Sequence, residues 1–250
     1  MDLVKKPRTR CALLDTLRGL TVLSMVLYHA AWDLVYMFGV DWDWYYGKGA
    51  YFWQQSICCT FILLSGFCAG MSKKPLKRGL MVSGLGLIVT LVTVLFMPEN
   101  RVVFGVLTLI GACMLLMIPL KPLLKRVNVW AGLAGSLGLF LFTRHINQGY
   151  LGLGEWELIQ LPDFLYQNYV TTFFGFMHKG FYSTDYFSLF PWVFLFLAGF
   201  FLHKALGKFL PKATWKGIRL FNFIGRHALE IYAVHQPLIY GLCLVWDMLR

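Results

Sequence analysis

Seven stretches of mostly apolar residues most strongly limit what this chain can fold into. They run approximately over 13–37, 50–71, 79–97, 102–120, 128–143, 188–203 and 227–248. A helix needs about 20 such residues to cross the hydrocarbon core of a bilayer. Hydrophobic residues make up 58% of the 250-residue chain and charged residues only 14%. The pattern excludes a soluble enzyme. It predicts an all-α polytopic membrane protein of about seven transmembrane helices, folded as a single domain over residues 1–250.

The loops between these stretches alternate between rich and poor in Lys and Arg. Seventeen basic residues lie in every second loop, counted from the N-terminus, and five lie in the other loops or at the C-terminus. The larger set comprises Lys5, Lys6, Arg8, Arg10, Lys73, Lys74, Lys77, Arg78, Lys121, Lys125, Arg126, Lys204, Lys208, Lys212, Lys216, Arg219 and Arg226. Cytoplasmic loops are enriched in Lys and Arg, so we predict a cytoplasmic N-terminus and an outer C-terminus. Because the net charge of +11 is spread over four loops, the expected partner is the lipid bilayer and not a nucleic acid.

A long outward loop is predicted over 144–187, and one part of it competes for the role of a span. Residues 164–178 are fairly apolar, but a span there would move the next loop, with six basic residues, to the outer side. That conflicts with the charge rule. We therefore expect a re-entrant or interfacial segment, which is tolerated at membrane depth only where it lines a cavity or packs on protein.

Ionisable residues inside a span are functional hypotheses by default, and the first stretch holds the densest set. Arg18 and His29 are eleven residues apart, about three helical turns, so they share a face roughly 16 Å apart. Asp33 follows His29 by four residues and Asp15 precedes Arg18 by three. A carboxylate that accepts from one imidazole nitrogen leaves the other basic, as a general base requires. The structural alternatives are that Arg18 and Asp15 snorkel to the membrane interface and that His29 forms a hydrogen bond to a neighbouring helix.

Two further groups of polar residues are candidates for either a functional or a structural role. The last stretch contains Arg226 and Glu230 at ion-pair spacing, and His235 just before Gln236 and Pro237. The outward loop contributes His178 and ends in FYSTDYFSLFPW (181–192), which contains Asp185 and Trp192. A cytoplasmic anchor, helix packing, solvated loop charges and an interfacial aromatic belt are the structural alternatives for these residues.

Four sequence blocks carry a resemblance to a known family. The block LDTLRGLTVLSMVLYHAAWDL (14–34) resembles the first span of the heparan-alpha-glucosaminide N-acetyltransferase catalytic-domain family. That family belongs to a wider group of transmembrane acyltransferases that includes the acyltransferase-3 proteins, whose Arg-x10-His pattern Arg18 and His29 match. The blocks FGVLTLIG (104–111), STDYFSLFPW (183–192) and IGRHALEIYAVHQPLI (224–239) are similar to bacterial members in the same order.

The resemblance implies an enzyme that moves an acyl group, expected to be acetyl, from cytoplasmic acyl-CoA to a sugar-type acceptor at the outer side. It implies an integral protein of the bacterial cytoplasmic membrane, with acetyl-CoA as the donor and no metal. His29 would be the catalytic histidine, and we expect Asp33 to orient it. The expected CoA-binding residues are Arg18, Arg226 and Arg78, and the expected acceptor-binding residues are Asp185, His178, His235, Glu230 and Trp192.

Two other classes of function remain open at this stage. One is a transporter or flippase that uses the same buried charges as a substrate pathway, and the other is a structural subunit of an envelope-polysaccharide system. A structural subunit would not need the His29–Asp33 pair. Small residues in the spans indicate close helix packing, within one chain or between copies in a homo-oligomer. They are Gly84, Gly86, Gly132, Gly135 and Gly138.

Overall fold

The structure, a computed structural model, describes residues 11–212 and 215–249. Four basic residues of the predicted cytoplasmic N-terminus, Lys5, Lys6, Arg8 and Arg10, lie outside the described residues, as do Arg250 and the side chain of Lys212.

The apolar stretches are helices, and the prediction of an all-α polytopic membrane protein is confirmed. The main helices are α1 (Ala12–Trp32), α2 (Lys48–Met71), α3 (Pro75–Phe96), α4 (Val106–Arg126) and α5 (Val129–Phe142), followed later by α7 (Leu189–Leu206) and α9 (Ala228–Met248). Shorter elements are the strands β1 (Tyr150–Leu153) and β2 (Trp156–Gln160) and the helices α6 (Tyr169–Phe174) and α8 (Arg219–Arg226). Helix α1 continues as a π-helical turn over Asp33–Met37.

Six helical segments of the described chain are long and apolar enough to cross a membrane. They are Lys48–Met71, Pro75–Phe96, Val106–Arg126, Val129–Gln148, Leu189–Leu210 and Ala228–Met248. The seventh predicted span corresponds to α1, a helix of 21 residues that is not among the six. It carries Asp15, Arg18 and His29, polar side chains that lower its mean hydropathy.

The outward loop contains no long helix over 164–178. Only Tyr169–Phe174 is α-helical there, and six residues rise about 9 Å, too little to cross a bilayer. The loop also holds an antiparallel hairpin of β1 and β2, which the sequence analysis missed. Gly154 at its tip has a φ of +61°, a conformation that glycine adopts at no steric cost. Every residue of β2 is exposed, so the strand lacks the alternation of apolar and polar residues that indicates a half-buried strand.

The described chain divides into two compact units. The first comprises the described residues up to Phe61 and those from Leu206 onward, and the second comprises Ile62–Ala205. The single domain over 1–250 stays a prediction.

In the first unit, α1 packs against α8 and α9. Two glycines allow the close approach of α1 and α8, because a Cβ on Gly19 would overlap the backbone of Phe221 and one on Gly225 the backbone of Asp15. A buried hydrogen bond from Thr16 Oγ1 to Asn222 Oδ1 (2.6 Å) lies between the same two helices. The absence of side chains at the crossing is what brings the charged ends of α1 and α8 together.

In the second unit, close helix contacts also depend on glycine. A Cβ on Gly86 would crowd Thr108 of α4, and one on Gly132 would overlap Phe201 of α7. Both glycines were predicted as packing positions, and for them the prediction is confirmed. At Gly84, Gly135 and Gly138 a Cβ would meet no atom of the described chain within 4 Å, so close packing at these three positions within the chain is not seen, and packing between copies stays a prediction. A homo-oligomer stays a prediction.

Alanine at Gly19 or Gly225 is expected to push α1 and α8 apart. Overpacking of this kind typically costs about 1–3 kcal/mol, so each variant is expected to melt at a lower temperature in detergent than the wild type. Gly135→Ala is the matched control, because its helix position is open and alanine there is expected to be neutral or stabilising by about 0.5–1 kcal/mol. Equal losses at all three positions would contradict the packing role.

Candidate active site

Two histidines meet where α1 packs on α9. The ring centroids of His29 and His235 are 5.0 Å apart, with the ring planes inclined by 59°. His29 is half-buried near the end of α1, and His235 is buried. From the sequence, His29 is expected to be catalytic and His235 to bind the acceptor. The structure makes them neighbours.

The hydrogen bond of His235 fixes which of its nitrogens is basic. Its Nδ1 lies 2.7 Å from the backbone carbonyl of Tyr232, one turn earlier in α9. A carbonyl can only accept, so Nδ1 carries the hydrogen and Nε2 of the neutral ring keeps its lone pair. Nε2 is buried and has no hydrogen-bond partner among the described residues. A buried nitrogen without a hydrogen-bond partner is uncommon, and it is a candidate for a catalytic role.

Asp33 is fully buried at the start of the π-helical turn, but its partner is not the predicted one. Its Oδ1 accepts a hydrogen bond of 2.7 Å from Nε2 of Gln236, the residue after His235. The expected hydrogen bond between Asp33 and His29 is therefore not present: Asp33 Oδ1 is bonded to Gln236, and the His29 ring lies against the His235 ring. Asp33 Oδ2 and Gln236 Oε1 are buried without a partner in the described chain.

Aromatic side chains that the sequence analysis missed surround the end of α1. Tyr28 packs between Tyr45 and Trp53, with ring centroids 5.5 and 5.3 Å away. Trp53 Nε1 donates to Ser24 Oγ (2.8 Å), and Tyr45 donates to the Tyr28 carbonyl (3.2 Å). Tyr28 meets His29 edge-on at 6.0 Å. The signal for this group was the run DWDWYY at 41–46, six residues with four aromatic rings, directly after the first span.

Two of the arginines predicted to bind CoA lie at the contact of α1 with α8. Arg18 pairs with Asp15 at 3.2 Å and donates to the carbonyl of Gly225 at 3.4 Å. Arg226 is exposed, and its Nε donates to the Asn222 carbonyl of its own helix at 3.0 Å. The ion pair suggested for Arg226 and Glu230 is not present among the described residues. Glu230 is exposed.

The remaining predicted site residues lie in the second unit. Asp185 Oδ2 accepts a hydrogen bond from the backbone N–H of Val106 (3.1 Å), the first residue of α4. The helix dipole stabilises negative charge at this end of a helix. His178 Nδ1 bonds the Lys179 carbonyl (2.8 Å), and its Nε2 is buried without a partner among the described residues. Trp192 is 6% exposed. Their roles in acceptor binding stay predictions, as does CoA binding by the exposed Arg78.

The Trp192 ring lies in a packed layer of the second unit. The guanidinium of Arg144 stands 4.7 Å from its centroid, and the ring of Phe187 lies 4.9 Å away. These contacts account for its burial without a bound sugar.

Asp185 is expected to make the stability of the protein depend on pH. Burial raises the pKa of its carboxyl from 3.8 to about 6, although the Val106 hydrogen bond acts in the opposite direction. Between these two values the folded chain holds a proton that the unfolded chain releases, so the contribution of Asp185 to stability falls as pH rises from about 4 to about 6.

Asp185→Asn keeps an oxygen acceptor for Val106 and removes the titration. The melting temperature of the wild type, measured in detergent across this range, is expected to fall more with rising pH than that of the variant. Glu155→Gln, at an exposed position of the hairpin turn, is the matched control and is expected to follow the wild type. Parallel curves for all three proteins would show that Asp185 does not titrate in this window.

The comparison with known families agrees with the resemblance seen in the sequence. The chain matches the family described as heparan-alpha-glucosaminide N-acetyltransferase, catalytic, over residues 10–237. No curated protein and no solved structure matches the chain. The match spans both histidines and most of the sequence, and it supports a membrane acetyltransferase-like role. The chain belongs to the heparan-alpha-glucosaminide N-acetyltransferase catalytic-domain family.

Proposed function

We propose that this protein takes an acetyl group from cytoplasmic acetyl-CoA and transfers it to a sugar-type acceptor at the outer side of a bacterial cytoplasmic membrane, with His29 as the catalytic histidine. The observation that carries the proposal is the contact of His29 with His235. Both residues lie within the family match, in the first and last long helices, and both are withdrawn from solvent.

Acyl transfer needs a group that removes a proton from the acceptor as its hydroxyl or amine attacks the thioester carbon. The carbon–sulfur bond then breaks, and the CoA thiolate leaves and takes up a proton. A neutral imidazole with one unpaired nitrogen suits the first step. His29 would act as this base or accept the acetyl group itself before the acceptor does. His235, whose lone pair is on Nε2, would accept the proton that His29 releases.

Asp33 and Gln236 support the histidine pair by joining the two helices beside it. Their 2.7 Å hydrogen bond links the residue four positions after His29 to the residue directly after His235. The bond limits sliding of α9 along α1, which would separate the two rings. The unpartnered atoms Asp33 Oδ2 and Gln236 Oε1 are then available to accept hydrogen bonds from the hydroxyl or amine of an acceptor.

The donor would approach from the end of α1 that carries Arg18. Guanidinium groups recognise phosphates through several N–H groups at once, and Arg226 is exposed one residue after the carbonyl that Arg18 contacts. The eleven residues from Arg18 to His29 span roughly 16 Å along the helix. An extended CoA arm covers such a distance, so phosphates held near Arg18 and Arg226 would allow the thioester to reach His29.

Alanine at His29 is expected to reduce acetyl transfer by about 100-fold or more, since a positioned general base typically contributes at least that factor. His235→Ala is expected to cause a similar loss. The measurement is thioester loss from radiolabelled acetyl-CoA, and label on the protein, with purified protein in detergent. His145→Ala is the control, because His145 stacks on Tyr150 in the second unit. Full activity of folded His29→Ala protein would disprove the assignment.

Replacing Arg226 tests the donor side. Arg226→Gln removes a charge while the helix keeps its backbone hydrogen bonds, and a lost bond to phosphate is worth about tenfold in affinity or more. We expect KM for acetyl-CoA to rise by about that factor with little change in kcat. Lys208→Gln, an exposed cation of the same predicted cytoplasmic loop, should leave KM unchanged. An unchanged KM in Arg226→Gln would remove Arg226 from the donor site.

The transporter alternative would use the same unpartnered polar atoms as a pathway. Asp33 Oδ2, Gln236 Oε1 and His235 Nε2 are buried acceptors inside an apolar helix pair, an arrangement that also suits passage of a small polar substrate. This alternative predicts flux through reconstituted vesicles without acetyl-CoA turnover. A structural subunit predicts neither flux nor turnover.

A further inference from the structure

Helix α8 buries its polar and small residues and exposes its large apolar ones. Asn222 and Gly225 are its buried residues, and both lie against α1. Leu220 and Phe223 are 61% and 57% exposed. A helix on the surface of a soluble domain has the opposite arrangement, with its apolar stripe toward the core and its polar residues toward water. Helix α8 therefore presents an apolar face that α1 does not cover.

The contact with α1 fixes this orientation of α8. A Cβ on Gly225 would overlap the backbone of Asp15, so the helix can approach α1 this closely only with its glycine face. Asn222 accepts a hydrogen bond from Thr16 Oγ1 (2.6 Å) and donates one to the carbonyl of Lys216 (2.9 Å). Rotating α8 to bury Phe223 would break the bond to Thr16 and place a large ring where only a glycine fits.

The connection to α9 keeps α8 close to the bilayer. Helix α8 ends at Arg226, and the segment Ala228–Met248 is long and apolar enough to cross a membrane. Its 21 residues rise about 31 Å, close to the thickness of the hydrocarbon core, so its first residue lies near the membrane surface. Two residues reach at most about 7 Å. The end of α8 therefore lies at or near the headgroup layer.

The charges around the apolar face are all positive. Arg219 precedes Phe223 by four residues and so lies on the same face of the helix. Arg219 and Lys216 are both exposed. Between Asp185 and Glu230 the sequence has six Lys and Arg residues and no Asp or Glu. An apolar helix face bordered by cations is typical of helices that lie in the interface of an anionic bilayer.

The same charges disfavour a cover made of this protein. A second copy would bring the same six basic residues to the contact. Residues 1–10 of the chain carry four basic residues and one acidic residue. Like charges repel, so both of these occupants are less suited to the face than an anionic lipid surface.

We propose that the exposed face of α8 lies in the headgroup region of an anionic bilayer leaflet. Leu220 and Phe223 lie against the upper part of the acyl chains, and Arg219 and Lys216 lie at the lipid phosphates. The proposal concerns the position of α8 in the membrane and does not depend on acetyl transfer.

The test uses the full-length protein in vesicles that contain equal amounts of phosphatidylglycerol and phosphatidylcholine with identical acyl chains. The photoreactive residue p-benzoylphenylalanine replaces Phe223, whose exposed position leaves room for the larger side chain. After illumination, mass spectrometry identifies what is covalently bound to residue 223. We expect lipid adducts, with phosphatidylglycerol at least fivefold more frequent, the factor expected for one basic residue at an anionic membrane surface.

Two controls separate α8 from general contact with lipid. Leu87 is exposed in the middle of α3, and no charged residue lies between Arg78 and Glu99. The same photoreactive residue at position 87 should label both lipids equally. In the protein labelled at 223, Arg219→Gln should lower the preference for phosphatidylglycerol about fivefold. Lys179→Gln, at an exposed cation of the outward loop, should leave it unchanged.

Each other outcome would overturn the proposal. Adducts with a peptide of this chain would show that residues 1–10, a second copy or another segment covers the face. Equal labelling of the two lipids at position 223, or equal effects of Arg219→Gln and Lys179→Gln, would remove the anionic surface. No adduct at 223 while position 87 is labelled would show that the face meets water. None of these readouts uses acetyl-CoA, so a failure here leaves the proposed function untouched.

Discussion

The first unit depends on the close backbone contact of α1 with α8. Gly19 and Gly225 let the two helices approach until only backbone atoms separate them. Within lipid, helices gain little from hydrophobic association and depend on such close packing and on hydrogen bonds between helices. The contact is reinforced by Thr16 and Asn222, and it leaves the Arg18–Asp15 pair beside the start of α9. The position of α1 along its neighbours, and with it the meeting of His29 and His235, follows from this approach.

Polar groups that the fold buries are concentrated around this helix. Thr16, Thr21, Asp33, Asn222 and His235 are five of the eight buried polar or charged residues of the described chain, and all belong to the first unit. In the second unit, polar side chains mostly form hydrogen bonds with backbone groups. Asp185 holds the start of α4, and Lys204 donates to three carbonyls at the end of α4. The first unit is where burial of polar groups exceeds what helix ends require, which is the usual mark of a functional site.

The sequence was sufficient for the helices and insufficient for the partners of the buried groups, and the catalytic role of His29 stays a prediction. Apolar stretches of about 20 residues have few alternatives in lipid, so helix positions followed closely from them. The Asp33–His29 bond was inferred from an i, i+4 spacing, which holds within one helix but says nothing of a competing amide on another. Gln236 came from the far end of the chain, and no local pattern marks it as the partner of Asp33. The hairpin was missed because an exposed strand has no alternation to detect.

The buried atoms left without partners around the histidine pair are of one kind. Asp33 Oδ2, Gln236 Oε1 and His235 Nε2 all offer lone pairs, and none offers a hydrogen while Asp33 is ionised. A molecule that bound to these atoms would therefore have to supply the hydrogens. Hydroxyl-rich and amine-bearing compounds can do so, whereas esters and ketones would add further lone pairs to an existing excess. Binding at these atoms would thus select by the direction of the hydrogen bonds, before size or charge.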